Sequence, residues 1–289
     1  MASDSFFVYW TMANGEVRRV SLDGGKVETL AASPPPASSI AVDATTIYWA
    51  GGDGAIRRVA KTGGDVTVMA QASGKVDLAV DDAAVYFTSG STIQSIPKFA
   101  DVNATPAMIA TGQSQPHGLF VTGSLIWAAT QGATSPAATA AQGVYEAPIR
   151  GGNPVALVSD ITPSVLFVAA SRLTWTDSAA GAVHTASLDG TDIRDLAVAD
   201  SNETLDTVVS DETNAYFTTS NGYLRAVSLA GGGQAQAVMS GPPAPARLAI
   251  DATNVYFANS ADGAIFALSK SDLFSNDNAL PPDQPAPAQ

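Results

Sequence analysis

An aromatic pair that recurs about every forty residues constrains this chain more than any other feature. Five copies read Tyr followed by Trp or Phe, and two degenerate copies fill the gap between the third and the sixth. The first members are Tyr9, Tyr48, Tyr86, Ile126, Thr174, Tyr216 and Tyr256, in steps of 38 to 48 residues. A recurrence of this length is typical of propellers, solenoids and other repeat arrays.

Each copy contains four short apolar runs separated by turn residues. In the second copy the runs are 40–43, 47–50, 55–59 and 66–69. Runs of β-branched and aromatic residues between Gly, Asp and Asn predict strands joined by hairpins, and no segment keeps a helical period over three turns. The sequence therefore predicts an all-β fold, a seven-bladed β-propeller of four-stranded antiparallel blades. Six blades are the alternative.

The position of each run within a copy predicts its place in the blade. The first run is continuously apolar, which predicts an innermost strand covered on both faces. The aromatic pair lies on the second run, where it is predicted to fill the wedge between blades as core. The third and fourth runs alternate and suit outer strands with one wet side.

Two copies carry a family resemblance. The segments 173–177 and 183–190 resemble the YWTD repeat of low-density-lipoprotein-receptor-like propellers and of many bacterial secreted proteins, and 9–11 with 18–25 form a second good copy. The resemblance extends to about residue 270 and implies a propeller that serves mainly as a binding platform. The four-letter motif is never intact, and the family's six blades and cysteine-rich neighbours are not matched.

The two end copies are predicted to be incomplete blades. Nothing before Tyr9 resembles an inner strand, and copy seven shows no fourth strand. A segment upstream of Met1, carrying a leader and the missing strand, is one explanation, and a strand supplied by Leu273-Phe274 is the other. We expect one domain over 1–275, a disordered tail rich in Pro and Ala over 276–289, and a mobile loop over 131–142.

Charge and composition exclude several classes of function. The formal net charge is −13, which repels phosphate backbones and disfavours nucleic acid and anionic membranes as partners. There is no cysteine, so disulfides and thiolate chemistry are excluded, and no apolar stretch is long enough to insert into a membrane. We expect an acidic monomer without cofactor or bound metal, extracellular or periplasmic in a bacterium, with a cytoplasmic protein as the alternative.

Four residues before inner strands are the candidate ligand-binding residues. His117 precedes the inner strand of copy four, and Arg247 precedes that of copy seven at what the sequence suggests is the same place. Lys75 and Asp77 lie near that place in copy three. Such junctions reach the mouth of a propeller's channel, where ligands bind. His117 is the one candidate general base, and the alternative is a solvated loop histidine bonded to the backbone.

Other polar residues have structural explanations. Asp43, Asp81, Asp251 and Asp211 end or follow inner strands, which favours capping of turns over a ring of cation ligands. Arg18, Arg57 and Arg225 recur on third strands, where exposed and weak ion pairs are expected. His184 lies on a third strand and is expected to have no function.

These observations favour a non-catalytic binding module that engages a protein, peptide or carbohydrate at the mouth of the propeller. The alternative function is that of a hydrolase or lyase whose site uses His117.

Overall fold

Antiparallel sheets built from consecutive strands account for almost all of the regular structure. The computed structural model describes residues 1–32, 36–100, 104–130, 142–169, 171–240, 245–259 and 264–273. Within these ranges the strands form seven separate sheets, six of four strands and a seventh of three. The predicted seven-bladed β-propeller fold is confirmed, and the six-blade alternative is wrong.

The first compact unit, Met1–Asp160, contains the first four sheets. In each sheet the strands lie side by side in chain order. Sheet one has β1 (Ala2–Ser3), β2 (Phe7–Thr11), β3 (Glu16–Ser21) and β4 (Glu28–Ala32); sheet two has β5 (Ala37–Val42), β6 (Thr46–Gly51), β7 (Ala55–Ala60) and β8 (Thr67–Gln71). Sheet three has β9 (Leu78–Val80), β10 (Ala84–Ser89), β11 (Thr92–Pro97) and β12 (Ala107–Ala110); sheet four has β13 (His117–Val121), β14 (Ser124–Ala129), β15 (Gly143–Pro148) and β16 (Val155–Ser159).

The second compact unit, Ile161–Gln289, contains the remaining three sheets. Sheet five has β17 (Pro163–Ala169), β18 (Arg172–Asp177), β19 (Ala182–Ser187) and β20 (Arg194–Val198); sheet six has β21 (Leu205–Ser210), β22 (Asn214–Thr219), β23 (Tyr223–Ser228) and β24 (Gln236–Ser240). Sheet seven has β25 (Pro245–Ile250), β26 (Asn254–Asn259) and β27 (Ile265–Ser269), and the helical turn α1 (Lys270–Leu273) follows it.

The two end sheets differ from each other in completeness. The first sheet has an inner strand, β1, that pairs with Tyr9 and Val8 of β2. The sequence did not reveal it, because β1 is only two residues long and has no large apolar residue. The seventh sheet has no fourth strand among the described residues. Leu273 lies in α1 with its side chain buried, so it does not supply a strand.

Several predictions fall on residues outside the described ranges. They are the tail 276–289, Phe274, and the loop 131–142 apart from Gln142. The extent of a single domain over 1–275 stays a prediction. In the described residues no helix is long and apolar enough to cross a membrane.

Tight turns between strands depend on glycine where the backbone is left-handed. Gly54 joins β6 to β7 with a φ of +79°. A Cβ at this position would clash with the carbonyl oxygen of Ala72, which continues the chain beyond β8. Glycine avoids both the strain and the clash, so the Asp53-Gly54 turn closes the hairpin beside β8.

The recurrent aromatic pair forms the core between neighbouring sheets, as predicted. The first aromatic of one sheet lies in a cluster with the second aromatic of the next: Tyr9 with Trp49, Tyr48 with Phe87, Tyr86 with Trp127, and Tyr216 with Phe257. All eight rings are buried. Because each large ring fills space between two sheets, the aromatic repeat fixes how far apart those sheets lie.

An aspartate after each of five inner strands satisfies the buried tyrosine that follows it. Asp43 Oδ1 accepts the backbone N–H groups of Thr45 and Thr46 at 2.8 Å, and its Oδ2 accepts the hydroxyl of Tyr48 at 2.9 Å. The same carboxylate–hydroxyl bond joins Asp4 to Tyr9, Asp81 to Tyr86, Asp211 to Tyr216 and Asp251 to Tyr256, at 2.7 to 3.0 Å. The predicted capping role is confirmed, and Asp4 is an additional member that the sequence analysis missed.

Sheets four and five have neither the tyrosine nor the aspartate of this pair. In sheet four Ile126 pairs with Phe120 where tyrosine stands elsewhere, and Thr122 takes the place of the aspartate. In sheet five Thr174 and Ala169 occupy the two positions. We expect the tyrosine and the aspartate to be present or absent together. A buried hydroxyl needs an acceptor, and a carboxylate turned toward the core needs a donor.

A lysine from the next sheet joins three of these pairs. Lys98, directly after β11, has its ammonium 2.7 Å from Asp43, and both side chains are nearly buried. Lys61 contacts Asp4 and Lys270 contacts Asp211 in the same way, at 2.5 and 3.0 Å. Each lysine follows the third strand of its sheet, so the contact joins adjacent sheets within one unit.

Removal of one capping carboxylate should destabilise the chain far more than removal of its neighbour. Asp81→Ala deprives the N–H groups of Ala83 and Ala84 and the Tyr86 hydroxyl of their acceptor. We expect a loss of about 2–3 kcal/mol in the free energy of unfolding, measured by chemical denaturation. Asp82 is exposed and is the matched control, for which Asp82→Ala should change stability by less than about 0.5 kcal/mol. Equal effects of the two variants would contradict the capping role.

Acid should destabilise the second unit through Asp211. Burial alone would raise the pKa of this carboxyl, but the N–H groups of Thr213 and Asn214 and the Lys270 ammonium outweigh burial and lower its pKa to about 2. Because the pKa is lower in the folded than in the unfolded chain, the stabilisation is present above about pH 4 and is lost as pH falls toward 2. In Asp211→Asn we expect a shallower loss of stability between pH 4 and 2 than in the wild type, measured by denaturation at each pH. An unchanged slope would contradict this assignment.

Candidate functional site

The N-terminal ends of three inner strands lie side by side in the first unit. Strand β5 packs beside β9, and β9 beside β13. Two side chains link their beginnings: Ser39 Oγ accepts the N–H of Leu78 at 3.1 Å, and Asp77 Oδ2 accepts the N–H of Gly118 at 2.8 Å. We call the beginnings of β5, β9 and β13 with the residues directly before them the N-terminal edge.

Asp77 connects two sheets at this edge. Its backbone N–H donates to Thr88 Oγ1 at 2.8 Å, and the Thr88 hydroxyl donates to the carbonyl of Lys75 at 3.2 Å. The carboxylate then reaches Gly118 of the next sheet. The segment that carries both predicted binding residues of copy three is therefore fixed at several points, while the side chain of Lys75 is exposed to solvent.

His117 is the first residue of β13 and is buried, with 6% of its surface exposed. Its Nδ1 lies 2.8 Å from the carbonyl oxygen of Gln115, so Nδ1 carries the proton and donates. Gln115 has a φ of +44°, and the pairing of β13 with β14 shifts register between His117 and Phe120. The bond to the backbone agrees with the structural alternative, but the histidine is buried rather than solvated.

The structure brings Asp77 next to the His117–Gly118 peptide. The carboxylate accepts from the Gly118 N–H, so this contact holds the backbone beside the histidine. Arg247 lies in the second unit, exposed on β25 and directly before Leu248. His117 stands two residues before Leu119, so Arg247 corresponds in register to Gly118 and Asp77 rather than to His117.

Two glutamines near the N-terminal edge were not identified from the sequence. Gln113 is buried; its Oε1 accepts the indole N–H of Trp127 at 3.1 Å, and its Nε2 donates to the carbonyl of Thr111. Gln115 Oε1 accepts the hydroxyl of Thr130 at 3.3 Å. A glutamine in a loop carries no signal in one sequence, because its role depends on which aromatic ring or hydroxyl the fold brings to it.

A threonine that holds the start of an inner strand recurs in the second unit. Thr176 Oγ1 accepts the N–H of Val165 at 3.2 Å, as Thr88 accepts the N–H of Asp77. Both threonines directly follow the second aromatic of the pair. This position could have been found from the sequence, because Thr88, Thr176 and Thr218 share it.

The arginines of the third strands are less exposed than the sequence predicted. Arg57 is buried, and its guanidinium binds the carboxylate of Asp53 with both nitrogens, at 2.9 and 2.5 Å. This contact, with further N–H donors, lowers the pKa of Asp53 to about 2. Arg225 lies between Asp200 and Glu203, 3.0 Å from each. The reason is the register, which places each arginine across the ladder from a buried aromatic ring, Trp49 or Phe217.

His184 occupies the corresponding third-strand position in sheet five. Its ring stacks on Trp175 with centroids 5.4 Å apart, and its Nδ1 lies 2.8 Å from Asp195 Oδ1. The expectation that it has no function is not tested by these contacts, which are sufficient to explain its placement.

The described part of the chain contains no cluster of side chains that could bind a metal ion. No group of three or more His, Asp or Glu side chains there is arranged to hold an ion. The carboxylates considered above as a ring of cation ligands, such as Asp43 and Asp81, accept hydrogen bonds from tyrosine and backbone donors.

Comparisons with known proteins identify the fold. No protein-family model and no curated protein sequence matches the chain. Among solved structures, similarity is found to a nidogen/laminin complex, with 17% identity, a TM-score of 0.59, and 78% of this chain and 89% of the other covered. The computationally designed Ika8 protein shows 14% identity and a TM-score of 0.63, with 93% and 95% covered.

A third similar structure is PorZ, a surface component of the type-IX secretion system of Porphyromonas gingivalis. Identity is 16% and the TM-score is 0.58, with 87% of this chain but only 34% of PorZ covered. The structural similarity extends over most of the chain and shows that it shares a fold with these proteins. The sequence identities are too low to assign the chain to a family.

Proposed function

We propose that the chain is a non-catalytic binding module that engages a protein or peptide partner through the N-terminal edge of its inner strands. The observation that supports this most is the fixed polar network at that edge. Ser39, Asp77 and Gly118 connect the beginnings of three strands, and the ammonium of Lys75 stands exposed beside them.

A fixed edge favours binding because little conformational freedom remains to be lost when a partner docks. The backbone around Asp77 is held by Thr88 and Gly118, so the exposed groups beside it keep their positions. The exposed ammonium of Lys75 also provides a positive group on a chain of net charge −13, which can attract an acidic group of a partner.

The fold comparisons agree with a binding role without specifying it. One similar structure is that of a complex, nidogen with laminin, and at 17% identity it supports only the suitability of the fold for protein binding. We further propose that the protein is a monomer and, on the sequence resemblance, that it is bacterial and acts outside the cytoplasm.

The hydrolase or lyase alternative has less support. A general base must reach a substrate proton, and His117 is 6% exposed with its Nδ1 bonded to Gln115. Asp77 is bonded to a backbone N–H, which is a structural use of the carboxylate.

Charge reversal at Lys75 tests the binding site. Partners captured by the immobilised full chain from extracts and secreted fractions of the native source should be retained about tenfold less by Lys75→Glu. Lys26→Glu is the matched control, because Lys26 is also exposed but follows β3, away from the N-terminal edge; it should retain them like the wild type. A partner that both variants lose, or that neither loses, would place the binding surface elsewhere.

Hydrolase and lyase assays of the wild type, His117→Ala and His117→Gln test the alternative. We expect equal background rates for all three chains after a thermal melt has confirmed that each is folded. A turnover that disappears in both folded variants would replace the binding proposal with the enzymatic one.

A further inference from the structure

The seventh sheet ends on a third strand, whereas the other six end on a fourth. Strand β27 pairs with β26 on one side, and on its other side it meets no strand among the described residues. An outermost strand presents alternate N–H and C=O groups that can pair with another strand. Every sheet has an outermost strand. The distinctive feature of β27 is that it is the third strand of its sheet, whereas the outermost strand of the other sheets is the fourth.

Two alanines at matched positions of sheets six and seven differ in exposure. Ala226 pairs with Tyr216 on one side and Gln236 on the other and is 1% exposed. Ala267 pairs with Tyr256 in the same way but is exposed. The residue type and the register are the same. Ala226 is covered both by the fourth strand β24 and by the core cluster that sheet six shares with sheet seven.

Aromatic residues at the preceding position differ in the same sense. Tyr145 of β15 lies opposite Trp127 and is 5% exposed, while Phe266 of β27 lies opposite Phe257 and is 40% exposed. Strand β27, Ile265–Ser269, also has no proline and no charged residue. Natural edge strands commonly carry such residues to prevent pairing. Strand β27 lacks them, as do the outer strands β8, β12, β16 and β24.

We propose that the open edge of β27 binds an extended segment of a partner protein, which adds to the seventh sheet as its fourth strand. The complete sheets describe this segment. Their fourth strands are four or five residues long, run antiparallel to the third, and bury an apolar side chain near the middle, such as Met69, Ile109 or Leu196. Main-chain hydrogen bonds give affinity in this mode of recognition, and alternate side chains give selectivity.

Charge and composition favour a partner over a second copy or residues 274–289. Two copies of a chain with net charge −13 repel each other, whereas a segment flanked by basic residues is attracted. The residues after Leu273 include four prolines and no β-branched residue, a composition that disfavours strand pairing.

Hydrogen exchange of the full chain with a synthetic peptide tests the proposal. The probe carries the residues of β8, Thr67–Gln71, between two pairs of lysines, and the control peptide has proline in place of Met69. In the free chain the amides of β27 that face away from β26 should exchange rapidly. With the probe they should exchange at least about tenfold more slowly, and with the control peptide they should be unchanged.

Two matched variants locate the binding edge. Phe266→Lys should weaken the affinity for the probe about tenfold, measured by fluorescence anisotropy. Val198→Lys is the control, because Val198 is 69% exposed on β20, the outer strand of a complete sheet, and it should change the affinity by less than about twofold. Lys75→Glu should leave the protection of β27 unchanged, so failure of this proposal and failure of the proposed function are distinguishable.

Four outcomes would overturn the proposal. Amides of β27 that are slow without peptide at every protein concentration would show that the chain covers its own edge. Protection that grows with protein concentration and is removed by Phe266→Lys would identify a second copy as the occupant. An affinity that Phe266→Lys does not change would place the peptide elsewhere, and no protection at millimolar probe would show that the edge does not accept a strand.

Discussion

The hydrogen bond between a buried tyrosine hydroxyl and an aspartate carboxylate is the interaction on which the sheet-to-sheet packing depends. Tyrosine supplies a large ring for the space between two sheets, but its hydroxyl cannot be buried without an acceptor. The aspartate five residues earlier supplies it and also caps the turn between the two strands, as Asp43 does for Tyr48. A lysine from the next sheet then balances the carboxylate in three cases. The aspartate thus contacts the turn, the core tyrosine and, in three cases, a lysine of the neighbouring sheet.

The polar side chains of the candidate site already make structural hydrogen bonds, which makes the site better suited to binding than to catalysis. Asp77, Thr88, Gln113 and His117 each hold a backbone or indole group in place, and each would lose that contact if it moved to serve a reaction. A network of this kind stiffens the surface that carries it. Lys75, beside the network but outside it, keeps its charge available to a partner.

The N-terminal edge and the edge of β27 differ in the physics of recognition. The N-terminal edge presents an exposed charge on a fixed backbone, and its partner would be selected by its side chains and by the sign of its charge. The second presents main-chain groups of β27 that no described strand pairs with, beside Phe266 and Ala267, and its partner would be selected by an extended shape and an apolar centre. They lie in different compact units and are therefore separable by mutation.

The sequence by itself determined the number of sheets, the order of strands within them and the core role of the aromatic pair, because each depends on local alternation, turn residues and a period that survives in every copy. It also indicated the capping aspartates, since their interval to tyrosine is constant. It missed β1 and Asp4, because a strand of two small residues, Ala2 and Ser3, carries no pattern. The tertiary structure alone decided the burial of Arg57 and His117, the glutamine contacts and the exposure of Ala267. Those properties depend on which neighbour covers a residue, and a neighbouring strand or sheet leaves no mark on the residue's own sequence.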